Sequence, residues 1–232
     1  MTGSSDRSVT FWIARHGQTL FNVMGKVQGW CDTPLTDEGI AGAASLGRGL
    51  ADVPFVAAYS SDSGRAQQTL ETVLQARGQA NPHAADPVLI AKDARLREWC
   101  YGDLEGGPGE QMHRVLAEGF GADLPFDELN RRLPEVADVI ADWDPSGRAE
   151  RFADVRTRLC SFFREAGDRV RPAGGGNVLV VTHSFVIRSI VFLLNPAHVN
   201  DPHKIKNATI TQVTYDGERF NLGIVGSDAW QK

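Results

Sequence analysis

Short apolar runs alternate with amphipathic stretches along most of the chain. Thr10–Ala14 is apolar and stops abruptly at Arg15-His16-Gly17, the pattern of a buried strand running into a loop. Thr36-Asp37-Glu38 is a helix start, because a hydroxyl can cap free amides and acids suit the positive end of a helix. Ile40, Ala43, Leu46 and Leu50 mark the inner face of the helix that follows. Phe55–Tyr59 predicts a second strand, after which Ser60-Ser61-Asp62 opens a helix with Ala66, Leu70, Val73 and Leu74 at helical spacing. Val88–Ala91 is a third, weaker strand.

The second half repeats the alternation. A long helix carries Phe152, Val155, Leu159, Phe162, Ala166 and Val170 on one face, and Gly174-Gly175-Gly176 turns the chain into the strand Asn177–Thr182. Ser184–Leu194 is apolar almost all round and is therefore a buried helix. Thr209–Tyr215 and Phe220–Val225 flank Asp216-Gly217 as a terminal hairpin. Strands alternating with helices predict the α/β class, a mostly parallel sheet sandwiched by helices. Between Gly106 and Gly147 the pattern changes to Gly, Pro and two helical stretches, near Glu110–Glu118 and Phe126–Trp143, with no convincing strand. That region, about 106–147, reads as a helical insertion over one end of a single domain spanning residues 1–232.

Composition adds boundaries. Hydrophobic residues at 42% and charged residues at 23% are ordinary for a globular chain, which removes the disordered and fibrous classes. A net charge of −5 argues against a nucleic-acid partner but allows a small basic pocket. Cys31, Cys100 and Cys160 are scattered, with neither metal-ligand spacing nor a disulfide framework, so no metal site is expected and a reducing, cytoplasmic setting fits. The polar start, Met1 to Ser8, carries no signal-peptide pattern, and the apolar stretch around Ile190–Leu194 is too short to span a bilayer. No membrane partner is expected, and the oligomeric state is open.

Arg15-His16, Arg65 and His183 each follow a predicted strand. The carboxyl ends of strands in an open α/β sheet line one crevice, so these residues should meet there. Two guanidiniums and two imidazoles around one point make a site for a dianion such as phosphate. Each piece alone is weak, and His83, His113, His198 and His203 read as surface or loop residues. Asp62 reads as a helix-start residue. Trp99 and Tyr101 are candidates for the substrate entrance or for the core.

Five ordered blocks sharpen this reading: Arg15-His16-Gly17-Gln18-Thr19-Leu20-Phe21-Asn22, the stretch from Gly29 to Thr36, the stretch from Ser61 to Thr69, Leu96-Arg97-Glu98-Trp99-Cys100-Tyr101-Gly102 with its continuation to Gly106, and Val180-Val181-Thr182-His183. Together they resemble the histidine phosphatase superfamily, in its phosphoglycerate mutase-like branch. The resemblance implies a metal-independent, cofactor-free phosphatase acting on a small phosphorylated substrate through a phosphohistidine on His16. It implies that Arg15, Arg65 and His183 hold the phosphoryl oxygens, that Asn22 adds a hydrogen bond, and that Glu98 is the general acid and base. Gly17 would let the backbone approach the phosphate. Burial should raise the pKa of Glu98 and nearby arginines should lower it, a contest the sequence leaves open. Glu105 is the rival acid, with a structural role as its stronger reading.

The alternative activity is a cofactor-dependent phosphoglycerate mutase. Such mutases carry a lysine eight residues after the tyrosine of the glutamate-arginine-histidine-tyrosine-glycine block, where this chain has Gly109, and an arginine after the acid, where it has Trp99. Arg131 and Arg132 keep the mutase open as residues able to fold over the pocket. Another departure is Ser184, where relatives often have glycine, followed by Phe185, which is expected to narrow the pocket.

Overall fold

The computed structural model describes residues 7–84, 87 and 89–231. Strands β1 (Val9–Arg15), β2 (Phe55–Ser60), β3 (Leu89–Lys92), β4 (Gly176–Thr182), β5 (Ile210–Tyr215) and β6 (Phe220–Leu222) form one sheet in the order β3-β2-β4-β1-β5-β6. The first four in that order run parallel, and β5 and β6 are antiparallel. The predicted mostly parallel sheet with a terminal hairpin is therefore present. Val88, at the start of the weak third strand, and Met1 to Asp6 of the polar start lie outside the described residues.

Alternation along β4 shows why the sheet must be covered twice. Val178 and Val180 join the core that α7 (Phe152–Val170) and α8 (Ser184–Leu194) build on one face, with Phe162, Phe163 and Ile187. Leu179 and Val181 join the opposite core, built by α2 (Asp37–Gly49) and α3 (Gly64–Ala80) with Leu46, Leu70 and Val73. All four β4 side chains are completely buried. Fully burying such a side chain contributes roughly 1.5–3 kcal/mol, so a polar substitution on either face of β4 should cost at least that much of the protein's stability.

Three sequence readings need correction. Ile40 is 38% exposed; the inner position on that turn belongs to Gly39. The helix expected from Ser60 begins at Gly64, because Ser60 is the last residue of β2 and Asp62 lies in the connecting turn. The stretch Phe126–Trp143 is two helices, α5 (Phe126–Arg131) and α6 (Leu133–Trp143). Pro134 in the first turn of α6 lacks the amide proton that a continuous helix would donate four residues back, and its ring crowds that carbonyl, so the helix breaks at Arg132 and restarts at Leu133. With α4 (Gly109–Phe120) these two helices extend the α7–α8 core and roof a cavity of about 270 Å³ that opens beside the end of β1. A short helix, α1 (Leu20–Val23), flanks the same opening and is capped by Thr19.

Candidate active site

β1 and β4 are hydrogen-bonded neighbours that end in register, Arg15 opposite Thr182. The two strand exits therefore deliver His16 and His183 side by side, with ring centroids 5.2 Å apart. The His16 amide donates to Thr182 O at 2.9 Å, extending the ladder one residue past the strand. Helix α3 begins one strand over and brings Arg65 to the same point.

Hydrogen bonds fix which nitrogen of each ring carries the proton. His16 Nδ1 lies 2.7 Å from Gly17 O. A carbonyl only accepts, so Nδ1 is protonated and Nε2 keeps its lone pair. His183 is the reverse. Its Nδ1 lies 3.0 Å from Arg65 Nη2, which only donates, so the proton of His183 sits on Nε2. One imidazole thus presents a nucleophilic lone pair and the other an N–H donor.

Arg65 is 1% exposed and its four Nη protons are all engaged. Nη1 donates to Cys31 O at 2.8 Å and Asp32 Oδ1 at 2.9 Å, and Nη2 donates to Gly29 O at 2.7 Å and to His183. What it has left is Nε–H and its charge. Arg15 Nη1 donates to Ile205 O at 2.6 Å. Among the described residues, Arg15 Nε, Arg65 Nε and His183 Nε2 are buried polar atoms without a protein partner. Buried donors normally find acceptors, so three unmatched N–H groups drawn from these converging residues mark a place for an anion.

Burial sets the charge states. It is the largest influence holding both imidazoles well below the ordinary 6.5, followed by the Arg65 charge in each case. Burial likewise pushes Arg15 down to about 10, against the pull of Glu98. A histidine with a depressed folded pKa contributes stability above its unfolded value and loses it as pH falls below that value, since only the unfolded chain takes up the proton. Each imidazole is therefore expected to subtract stability as pH falls from 7.5 to 5.5, by on the order of 1 kcal/mol. Urea unfolding of wild type, His16→Gln and His183→Gln at the two pH values checks this. Each variant should recover about that amount, and an identical acid loss in all three proteins would contradict it.

Glu98 is 4% exposed and faces the start of α8. Oε1 accepts from the amides of Trp99 and Val186, both at 3.1 Å, while Oε2 accepts from Phe185 alone at 3.0 Å. Burial raises its pKa and outweighs the amides and the two arginines, which settles the direction that sequence left open. Oε2, with one amide partner, is the oxygen able to carry the proton. Glu105 is different: its oxygens accept from Gly29, Trp30, Cys31 and Tyr101 amides at 2.8–3.0 Å. It shapes the loop whose carbonyls hold Arg65. Asp62 forms a bidentate pair with Arg97 at 2.8 and 2.6 Å, and Arg97 stacks over Trp30.

Asn22 lines the cavity, with its Oδ1 accepting from Thr19 N at 3.3 Å and from Asn207 Nδ2 at 3.2 Å. Asn207 also donates to His16 O at 2.9 Å, and Ala208 N donates to Arg15 O at 3.0 Å. Ala208 adopts φ 55°, a left-handed conformation unfavourable by roughly 1–2 kcal/mol, to make that contact. The loop from Ile205 to Thr209 thus braces both Arg15 and His16, and nothing in its local pattern announces that role. Gly17 is required for a reason other than closeness to phosphate: a Cβ there would sit 2.5 Å from Gly39 O at the start of α2. Trp99 and Tyr101 are buried and also line the cavity, so entrance and core are one wall. Phe185 lines it too, 5.2 Å from Trp99 between ring centroids. His113, read as a bland surface residue, borders the cavity; His203 pairs with Asp127 at 2.6 Å.

The family model for the histidine phosphatase superfamily (branch 1) matches residues 11–227. The chain is 28% identical over 206 residues to 2,3-bisphosphoglycerate-dependent phosphoglycerate mutase 2 of Gloeobacter violaceus, covering 88% of this chain and 84% of that one. It is also 28% identical over 229 residues to the fructose-2,6-bisphosphatase TIGAR of Bos taurus, covering 87% and 83%. The crystal structure of a phosphoglycerate mutase from Bacillus anthracis superposes with a TM-score of 0.88 at 32% identity, over 97% of this chain and 96% of the other.

Proposed function

The chain belongs to the histidine phosphatase superfamily, branch 1, and from that premise we propose that it hydrolyses phosphomonoesters through a phosphohistidine on His16. The carrying observation is the opposed tautomers: an unprotonated Nε2 on His16 beside a protonated Nε2 on His183. In the first step His16 Nε2 attacks phosphorus and the P–O ester bond breaks, with Glu98 delivering its proton to the departing oxygen. Arg15 and His183 hold equatorial oxygens, Arg65 adds Nε–H and its charge, and Asn22 contributes its amide. In the second step Glu98, now a carboxylate, takes a proton from water as the water oxygen attacks phosphorus. The P–N bond breaks and His16 returns to its neutral form.

Relatives include both mutases and a bisphosphatase, so the choice rests on this chain's own cavity. A mutase must retain a second, acidic end of its substrate. At the start of α4 the cavity is bordered by Gly109, where a Cβ would already stand 3.0 Å from Gly25 O. Arg131 pairs with Glu128, while Arg132 pairs with Glu135 and lies 4.5 Å over the Phe120 ring; neither lines the cavity. Gly109, Arg131 and Arg132 thus supply no such clamp, and phosphate should go to water. Given 3-phosphoglycerate and a bisphosphoglycerate primer, the enzyme is expected to release inorganic phosphate faster than it forms 2-phosphoglycerate. Dominant 2-phosphoglycerate in a product assay would reverse the assignment.

A further inference from the structure

We infer that the alcohol released from the substrate is predominantly apolar and uncharged, an alkyl, prenyl-like or aryl alcohol rather than a sugar or a carboxylic acid. This rests on the hydrolase reading above and adds the substrate class. Glu98 borders two cavities. One, of about 270 Å³, also contains His16 and Arg15 and runs under α4, α5 and α6. The other contains His183 and is polar, bordered by Asp32, Ser61, Asp62 and Ser63. The leaving oxygen must lie next to Glu98, so the rest of the leaving group occupies one of these two spaces.

Charge decides against an anionic leaving group in the polar one, since Asp32 and Asp62 both face it and its Arg97 is already paired with Asp62. Neither His16 nor Arg15 borders it, so a leaving group of any kind is placed in the cavity that the nucleophile shares. There, the wall facing the catalytic end is made by Met112, Leu116, Leu129, Leu133, Val136 and Ile140, all from the three roof helices. Trp99, Tyr101 and Phe185 close the side next to Glu98. Apart from the catalytic groups and Tyr101, the ionisable side chains on this cavity are Lys26 and His113. Lys26 stands over the Phe21 ring at 5.1 Å and His113 is exposed at the rim. Gln28, Asn130 and Ser184 also line the cavity, but Gln28 is spent on Thr19 and Thr33, and the Asn130 amide donates to Asn200. A polyol packed against the roof wall would set most of its hydroxyls against hydrocarbon, whereas an alkyl or aryl group exchanges water for matched surface. Ligand cavities are commonly apolar with a few placed polar groups, and here the groups placed beside Glu98 are those of the catalytic end, His16 and Arg15.

The test is the kcat/KM of the full-length enzyme across ethyl, butyl and hexyl phosphate, with glucose 6-phosphate, 3-phosphoglycerate and p-nitrophenyl phosphate alongside. Each methylene entering the cavity should raise kcat/KM up to ~4-fold, the ratio corresponding to ~0.8 kcal/mol per buried CH₂, so hexyl should exceed ethyl by on the order of 10²-fold. Glucose 6-phosphate and 3-phosphoglycerate should fall below butyl phosphate. Met112→Gln, which places an amide on the half-buried roof, should reduce the hexyl-to-ethyl ratio severalfold; the ratio is independent of how much protein is folded. Turnover with no dependence on chain length, or a preference for the sugar or acid phosphate, would overturn the apolar class and leave the hydrolase standing. Inertness toward every ester, p-nitrophenyl phosphate included, would overturn the hydrolase reading and this inference with it.

Discussion

His16→Gln is expected to lose turnover of every phosphomonoester by on the order of 10⁴-fold or more while remaining folded. The size follows from the geometry. Gln has no group of imidazole nucleophilicity, and His183, 5.2 Å away between ring centroids, cannot substitute. Its Nε2 carries the proton because its Nδ1 accepts from Arg65. The fold should tolerate the change, since His16 is fixed through its backbone, by Thr182 O on one side and Asn207 Nδ2 on the other. Rapidly quenched wild type should carry one phosphoryl group that acid removes and base preserves, and the variant should carry none. A folded His16→Gln protein with near wild-type rates, or an adduct that persists in the variant, would move the nucleophile elsewhere.

The sequence was most informative where local chemistry and global topology agree. The runs that end at Arg15 and at Thr182 read as strands because nothing polar interrupts them, and their neighbouring positions in the sheet bring His16 and His183 together. The roof helices are legible as helices but not as a cavity wall, because residues such as Leu133 and Ile140 carry the same pattern whether they face a core or a cavity. The supports were hidden for a different reason. Asn207 acts on His16 across 191 positions, and Glu105 acts through amides that every residue except proline possesses. No side-chain type marks an acceptor of four backbone N–H groups in advance. Hydrophobicity predicts Ile40 on the inner face, but shape decides: the inner position needs Gly39, where a Cβ would come 2.1 Å from Gln18 O.

Glu98→Gln is expected to divide substrates by their leaving groups. An alkoxide departs only with a proton, whereas p-nitrophenolate leaves almost unaided. General acid catalysis contributes roughly 10²–10⁴-fold, so phosphorylation of His16 by an alkyl phosphate should slow by about that factor and by p-nitrophenyl phosphate far less. The raised pKa of the wild-type carboxyl keeps the acid available to higher pH than an ordinary glutamate would. Wild-type kcat/KM for alkyl phosphates should accordingly decline as pH rises through that raised value, and the decline should vanish in the variant. The second step needs the carboxylate as base, so p-nitrophenyl phosphate should give the variant a burst of phenol followed by slow turnover as phosphohistidine accumulates. The substituted side chain would turn an NH₂ toward the Phe185 amide in place of an acceptor, losing one of three hydrogen bonds, so thermal unfolding must accompany the kinetics. Glu105→Gln separates the two carboxylates. It disturbs the Gly29–Cys31 loop that holds Arg65 and should slow both ester types by a similar factor, with no burst. Leaving-group sensitivity in Glu105→Gln and its absence in Glu98→Gln would exchange their roles.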